Sequence, residues 1–312
     1  MQDLQVIDNT EIVVESNINA DLFNSWIAYI DARQKTVETY TRNIRQFVYY
    51  LEDRGITMPT RADIVAYKEY LLETKKPTTV QGYLMAVKQF FKWTEQEHLY
   101  PNIADKVKAP KLDADFKKDN LTSKQAGKLL KSIDTDTLKG KRDYAILSLM
   151  LTTGLRTIEI ERANIEDLRN VGDFTALYVQ GKGHLERTDY VKVPAPVEEA
   201  IREYLSFRGK VNDTEPLFAS VSNHNDNGRM TTRSISRIAK ENMIEAGFNS
   251  SKLTAHSLRH TAAILNLLNG GSLEETQTLL RHSSPTTTSI YTHRIERLNN
   301  NSEERIASAI FG

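Results

Sequence analysis

Four short segments of this 312-residue chain carry cationic, imidazole and phenolic side chains at spacings that invite a chemical reading. Residues 153–159 read TGLRTIE and place Arg156 where one helical pattern gives way to the next, with Glu159 three positions on. Residues 181–187 read GKGHLER, with Lys182 between two glycines. Residues 256–260 read HSLRH, and HSSP at 282–285 is followed by SIYTH at 289–293. Taken singly, each has an ordinary structural alternative. Arg156 and Glu159 suit a surface ion pair at i,i+3, and Lys182 suits a solvated turn. His256 and Arg259 share a helical face as a polar patch would, and Tyr291 suits half-buried packing. His256 and His260 lie four apart, which invites a zinc reading. The metalloprotease pattern, however, wants glutamate after its first histidine, where Ser257 stands. With no cysteine and no evident third ligand, a metal is not expected.

The elements that must position these residues are mostly helical. Apolar residues recur at helical spacing over 21–33, 36–53, 61–74 and 78–98. Gly55 stops the second pattern, Thr60 with Asp63 forms a capping box for the third, and Pro77 opens the fourth. Residues 101–118 break the pattern with Pro101, Pro110 and the lysines 106, 108, 111, 117 and 118, and so read as a linker. Thr122 with Gln125 then opens a helix to about Ser132. Further helices are expected over 141–152, stopped by Gly154, and over 157–168. The period then changes. Residues 174–179 and 190–193 are β-branched and aromatic and read as a hairpin whose glycine-rich tip carries Lys182. Helices follow from Pro194 to about Phe207, over 232–246 and 254–269, over 272–280 with Glu275 completing a capping box, and over 284–292.

Bulk properties narrow the class. A hydrophobic fraction of 39% allows a sizeable core, and the length accommodates two domains. The absence of cysteine excludes disulfide and thiolate chemistry and fits a reducing cytosol. The first twenty residues are acidic and do not read as a secretory signal. The best apolar run, 145–151, is far short of a membrane span. Lys+Arg and Asp+Glu both number 41, so net charge does not announce a polyanionic partner, although a neutral chain can still segregate charge by face.

In order and spacing, the four segments resemble the tyrosine recombinase, or phage integrase, family from residue 21 to the C-terminus. The matching string is TGLR-x-x-E, then GKG-x-x-ER on a hairpin, then H-x-L-RH, then HSS-x-x-TT-x-x-YTH. The resemblance implies a mainly α, two-domain clamp: an N-terminal extension over 1–20, a helical SAM-like core-binding domain over 21–100, a linker over 101–118, and a mixed α(+β) catalytic domain over 119–312. It also implies that Tyr291 is the nucleophile on a DNA phosphodiester. Arg156 and Arg259 would stabilise charge on the non-bridging oxygens, as guanidinium forks do. His256 would bind the phosphate or take the tyrosine proton, His282 would add a hydrogen bond, and Lys182 would protonate the leaving 5′-oxygen. Adjacent arginines should favour the Tyr291 phenolate. Glu159 should brace Arg156, with His260 and His293 in support. A 3′-phosphotyrosyl link conserves bond energy, so no cofactor, metal or ATP is expected.

One position departs from the family pattern. Arg281 stands where the family often has glycine before the histidine of the last segment, and a left-handed backbone there would strain an arginine. DNA contacts are expected from Thr36, Tyr40, Arg42 and Arg45 on the second helix and from Lys75, Lys76, Thr79, Gln81, Lys88 and Lys92 around the fourth, mostly to phosphates. An apolar stripe of Ile306, Ala307, Ile310 and Phe311 at the chain end would dock on a neighbouring protomer and link a homotetramer on double-stranded DNA with inverted-repeat core sites. With about twenty residues before the first helix, simple core sites are expected rather than separate arm sites.

The resemblance implies a cytoplasmic, bacterial or mobile-element-encoded integrase or resolvase, with room for an accessory directionality factor. A Xer-like dimer resolvase is the alternative. A type IB topoisomerase-like nicking–closing enzyme shares the tyrosine chemistry, and a DNA-binding regulator on an inactive scaffold would tend to lose part of the residue set that this chain retains.

Overall fold

Amphipathic spacing builds the first half of the molecule. In a computed structural model, which describes residues 18–112, 119–181, 187–282, 288, 291, 295 and 300–312, four helices form: α1 (Ala20–Tyr29), α2 (Gln34–Asp53), α3 (Arg61–Thr74) and α4 (Pro77–Gln96). Ile44, Phe47 and Leu51 on α2 and Val80, Leu84, Val87 and Phe91 on α4 recur at three- and four-residue intervals and are all buried. Aromatic rings fill the centre, with Phe23 stacked on Phe90 at 4.5 Å and Phe47 tilted against Tyr67 at 5.0 Å. Local chemistry sets the helix starts. Asn19 accepts from the Leu22 amide, Asp63 accepts from the Thr60 amide at 2.7 Å, and Pro77 occupies the first turn of α4. Beyond α4, Ala104 and Val107 are buried in the same cluster, so the chain just after Pro101 adds to this core. The first helix stops four residues before position 33, because Ile30 turns extended while its amide still closes the last turn on Trp26 and Ile27.

The chain separates into two compact units, residues 1–114 and 115–312. The second is built around α6 (Leu138–Thr153), from which residues on every side are buried and which packs against α8 (Ala195–Arg208) and α10 (Ala255–Leu268). α5 (Ser123–Lys131) opens the unit with the Thr122–Gln125 capping box. α7 (Thr157–Arg162), α9 (Thr232–Glu245), α11 (Leu273–Leu280) and a C-terminal helix, Ser302–Phe311, also belong to it.

Here the structure corrects the expected helix over 157–168. The helix ends at Arg162, Ala163 and Asn164 turn extended, and the Asp167 carboxylate accepts from the Asn164 amide at 2.7 Å. Leu168–Val171 is then a strand, β1, paired antiparallel with β2 (Phe174–Val179), which pairs in turn with β3 (Asp189–Val193). The sheet has three strands in the order β1-β2-β3 rather than the expected two. Val171 pairs with Phe174, leaving Gly172–Asp173 as a two-residue turn with Gly172 at φ 58°, a hairpin signal that a helical period over 157–168 obscured.

Gly154 ends α6 in the left-handed region, at φ 61°, where a β-carbon would lie 2.7 Å from a Leu280 methyl. Replacing it by alanine should cost about 1–2 kcal/mol for the backbone alone, with displacement of Leu280 in addition. Urea denaturation of Gly154→Ala measures this; an unchanged midpoint would show that neither the turn nor the contact is needed.

Candidate active site

Arg156 follows the left-handed stop at Gly154 and sits at the entrance to α7, where the first amides of a helix lack internal partners. Glu159, one turn in, supplies one. Its Oε2 accepts from the Arg156 amide at 2.7 Å and its Oε1 from the Arg156 Nη1 at 3.0 Å. The carboxylate is fully buried. Burial pushes its pKa up, but the Arg281 guanidinium at 2.8 Å, with the Arg156 contacts, outweighs this and holds the acid below its ordinary range. Glu159 is thus an anionic bridge between two arginines, and Arg281 is a partner that spacing alone did not suggest.

Arg259 lies on α10 and is 1% exposed. Its two terminal nitrogens donate to the carbonyls of Gly154 and Leu280, at the C-terminal ends of α6 and α11. Those ends carry partial negative charge, which suits a buried cation. Burial and the nearby Arg156 depress the guanidinium to about 9, so it remains charged at neutral pH. Arg156, His256 and Arg259 all line a cleft of about 560 Å³, together with Thr157, Ser236 and Lys240. His256 is exposed there, and its ring meets that of His260 edge-on at 4.4 Å. Among the described residues no cluster of three or more histidine, aspartate or glutamate side chains is arranged to hold a metal ion.

Thr288, Tyr291 and Ile295 are helical, whereas most of the expected 284–292 helix, and His293 with it, lies outside the described residues. Tyr291 is 3% exposed and packs with Ala263, Ile264 and Leu280. Its hydroxyl is hydrogen-bonded to His260 Nδ1 at 2.5 Å. The expected effect of the arginines on its acidity is present but smaller than burial, which pushes the phenol up to about 12 while Arg259 and Arg156 pull it down. Tyr291 is therefore a protonated phenol in this conformation, not the phenolate that the cationic surroundings suggested. His260 touches the nucleophile candidate directly, a closer role than its place in the motif indicated.

His282 Nδ1 is 2.9 Å from Thr288 Oγ1, a partner that the threonine pair of the last motif could have signalled. Burial, then Arg259 and Arg156, lowers the His282 pKa from 6.5 to about 4. The ring is thus neutral at physiological pH and can donate or accept a hydrogen bond without adding charge. The unfolded chain takes up a proton near pH 6.5 that the folded ring refuses until about pH 4. Stability should accordingly fall as pH drops through that window. A urea-midpoint profile of wild type against His282→Asn tests this; identical slopes between pH 6.5 and 4 would count against it.

Lys182 lies outside the described residues. At the roots of its connection, Arg187 Nη1 donates to the buried Asp167 at 2.8 Å and Arg187 Nη2 to the Arg162 carbonyl at 3.0 Å, while Arg162 donates to the Gly181 carbonyl at 3.3 Å. In the first unit, Arg42, Arg45, Lys76, Thr79 and Lys92 are exposed, as is Thr36, while Lys75, Gln81 and Lys88 are half-buried. Lys75 lies over the Tyr83 ring and Lys88 reaches the Asp105 carbonyl. Tyr40 stacks on Trp26, which makes it part of the packing more than of an open face. At positive φ, Arg281 bears out the suspicion of a left-handed turn, with φ 50° and ψ 50°.

Comparison with known proteins places these features. Residues 119–297 match the phage integrase family, and residues 22–100 match the phage integrase N-terminal SAM-like domain. The chain is 34% identical to tyrosine recombinase XerC of Corynebacterium glutamicum over 224 residues, covering 71% of this chain and 69% of that one. It is 30% identical to tyrosine recombinase XerD of Listeria innocua over 267 residues, covering 83% and 87% respectively. A solved structure of XerH site-specific recombinase bound to palindromic difH substrate, in a post-cleavage complex, shares the fold with a TM-score of 0.71 at 20% identity, over 88% of this chain and 81% of that one. The mostly helical architecture, the SAM-like front module and the catalytic-domain match together make this chain a member of the phage integrase family of tyrosine recombinases, and so a DNA strand-transferring enzyme.

Proposed function

We propose that the protein is a site-specific recombinase that cuts and rejoins DNA through a covalent 3′-phosphotyrosyl link at Tyr291. The observation that carries this is the joining of three motif segments by one run of contacts. Glu159 ties Arg156 to Arg281, Arg259 binds the carbonyl of Leu280 two residues before His282, and His260 from the Arg259 helix holds Tyr291. Scattered structural ion pairs would have no reason to converge in this way.

In the reaction, the Tyr291 oxygen attacks phosphorus as its proton passes to a neighbouring imidazole. Arg156 and Arg259 stabilise the negative charge on the non-bridging oxygens, His256 and His282 hydrogen-bond the phosphate, and Lys182 delivers a proton to the departing 5′-oxygen. A 5′-hydroxyl from a second duplex then reverses the step, displacing tyrosine and producing a Holliday junction.

Arg42, Arg45, Lys76, Thr79 and Lys92, with Lys75, Gln81 and Lys88 at the margin, form the phosphate-tracking face of the core-binding domain. Ile306, Ile310 and Phe311 are 58%, 66% and 86% exposed on a terminal helix that buries none of its own residues. Such a stripe fits a neighbouring protomer in a homotetramer on inverted-repeat core sites, in line with the palindromic substrate of XerH. Integration and excision of a mobile element, with an accessory directionality factor, is the biological setting we favour. Likeness to XerC and XerD over most of the chain supports a Xer-like resolvase as the second reading.

The test is a nicked suicide duplex carrying an inverted-repeat core site. A DNA-linked peptide containing residue 291 supports the proposal; an adduct at another residue, or none, refutes it. Relaxation of supercoils without exchange between two sites would favour a nicking–closing enzyme.

A further inference from the structure

Arg281 occupies a position that an arginine should avoid. Its backbone is left-handed, at φ 50° and ψ 50°, where a β-carbon is crowded and glycine sits freely. Its side chain is nevertheless well engaged. Nη2 pairs with Glu159 Oε2 at 2.8 Å and Nη1 donates to the Leu279 carbonyl at 2.8 Å, with the side chain 11% exposed. The same Glu159 oxygen accepts from the Arg156 amide, and its other oxygen accepts from the Arg156 guanidinium.

We propose that Arg281 is a positioning residue for strand cleavage, holding Glu159 so that the carboxylate orients Arg156 without neutralising it. This rests on Arg156 acting at the scissile phosphate. The charge count explains the need. Glu159 brings one negative charge into a site that must attract a phosphate, and it lies against Arg156 at 3.0 Å. With Arg281 present, two guanidiniums share that carboxylate, and Arg156 keeps attraction to spare for the phosphate. Without it, Arg156 alone would balance Glu159, and the site would carry one less positive charge.

Arg281 also couples two catalytic segments mechanically. Leu280 offers its carbonyl to Arg259, Arg281 binds Glu159, and His282 follows. Two consecutive residues, Leu280 and Arg281, thereby register the end of α11 against α10 and α7. A purely structural arginine would give the backbone strain no such return.

The experiment uses the full-length protein and the suicide duplex in single turnover at saturating protein, with wild type, Tyr291→Phe, Arg281→Gly and Arg281→Lys. Arg281→Gly should slow adduct formation by about 10- to 100-fold, the scale on which losing an outer-shell orienting partner lowers activity at metal sites. DNA affinity should hold. Arg281→Lys should recover part of the rate, and millimolar guanidinium should restore Arg281→Gly where sodium chloride at the same ionic strength does not. Loss of the cation raises the Glu159 pKa, so the acid limb of the rate–pH profile should move to higher pH in Arg281→Gly. Should the glycine variant lose its thermal transition, the shift of that limb in Arg281→Gln, which removes the cation and keeps most of the side chain, carries the same test. Wild-type rate in Arg281→Gly overturns the proposal, as does a loss that neither guanidinium nor lysine relieves and that leaves the pH profile in place. A wild-type protein that forms no Tyr291-dependent adduct instead overturns the catalytic assignment on which the proposal stands.

Discussion

Tyr291→Phe should abolish covalent capture of a suicide substrate while leaving DNA binding in place. Removing a nucleophile outright costs a rate factor of about 10⁶ in enzymes where it has been measured, so the adduct should vanish from a gel. The substitution is close to isosteric and keeps the packing against Ala263, Ile264 and Leu280. What it removes is the hydroxyl bonded to His260 Nδ1. Loss of one buried hydrogen bond is worth about 1 kcal/mol, so the variant should stay folded with a slightly lower melting temperature. That separates chemistry from stability. A phenol held near 12 does not ionise by itself at neutral pH, so attack needs a base, and His260 Nδ1 is within reach of the proton. His260→Ala should therefore slow cleavage without abolishing it. An undiminished adduct in Tyr291→Phe would remove Tyr291 from the mechanism altogether.

Much of this site was legible because its residues sit at positions dictated by local chemistry. Arg156 falls between the glycine that stops α6 and the glutamate that opens α7, and both signals are short-range. Likewise, the Thr60, Thr122 and Ser272 boxes mark helix starts where the structure has them. What eluded the sequence depends on contacts across long separations. The helix expected to Leu168 gives way to β1 because Ala163 bonds Leu217 and Glu166 bonds Asp213, partners about fifty residues away that no periodicity reveals. The partnership of Arg281 with Glu159 spans 122 positions. Strain at Arg281 could be anticipated from the residue type, but the ion pair that offsets it could not. Arg259 and Arg156 lower the Tyr291 pKa as their place in the motifs suggests, but burial, a property of the packed fold that motif spacing does not display, raises it more.

Arg259→Ala should produce the second large effect, and here stability and catalysis fall together. The guanidinium bridges two buried carbonyls from separate helices, and stripping a partner from each costs about 1–3 kcal/mol per group. A loss of about 2–6 kcal/mol in urea denaturation follows from the same accounting. Cleavage should drop by about 10²- to 10³-fold, the scale of losing one preorganised donor at a developing oxyanion. Arg259→Lys resolves the two contributions. An ammonium keeps the positive charge at the ends of α6 and α11, but it cannot fork across both carbonyls while also presenting an edge to phosphate. The lysine variant should thus regain most of the stability yet remain about 10²-fold slow in cleavage. If Arg259→Lys cleaved at the wild-type rate, a point charge would suffice and the bidentate geometry would have no catalytic part. If Arg259→Ala cleaved within a few-fold of wild type, the buried fork would be purely architectural, serving only to lock α10 against the ends of α6 and α11.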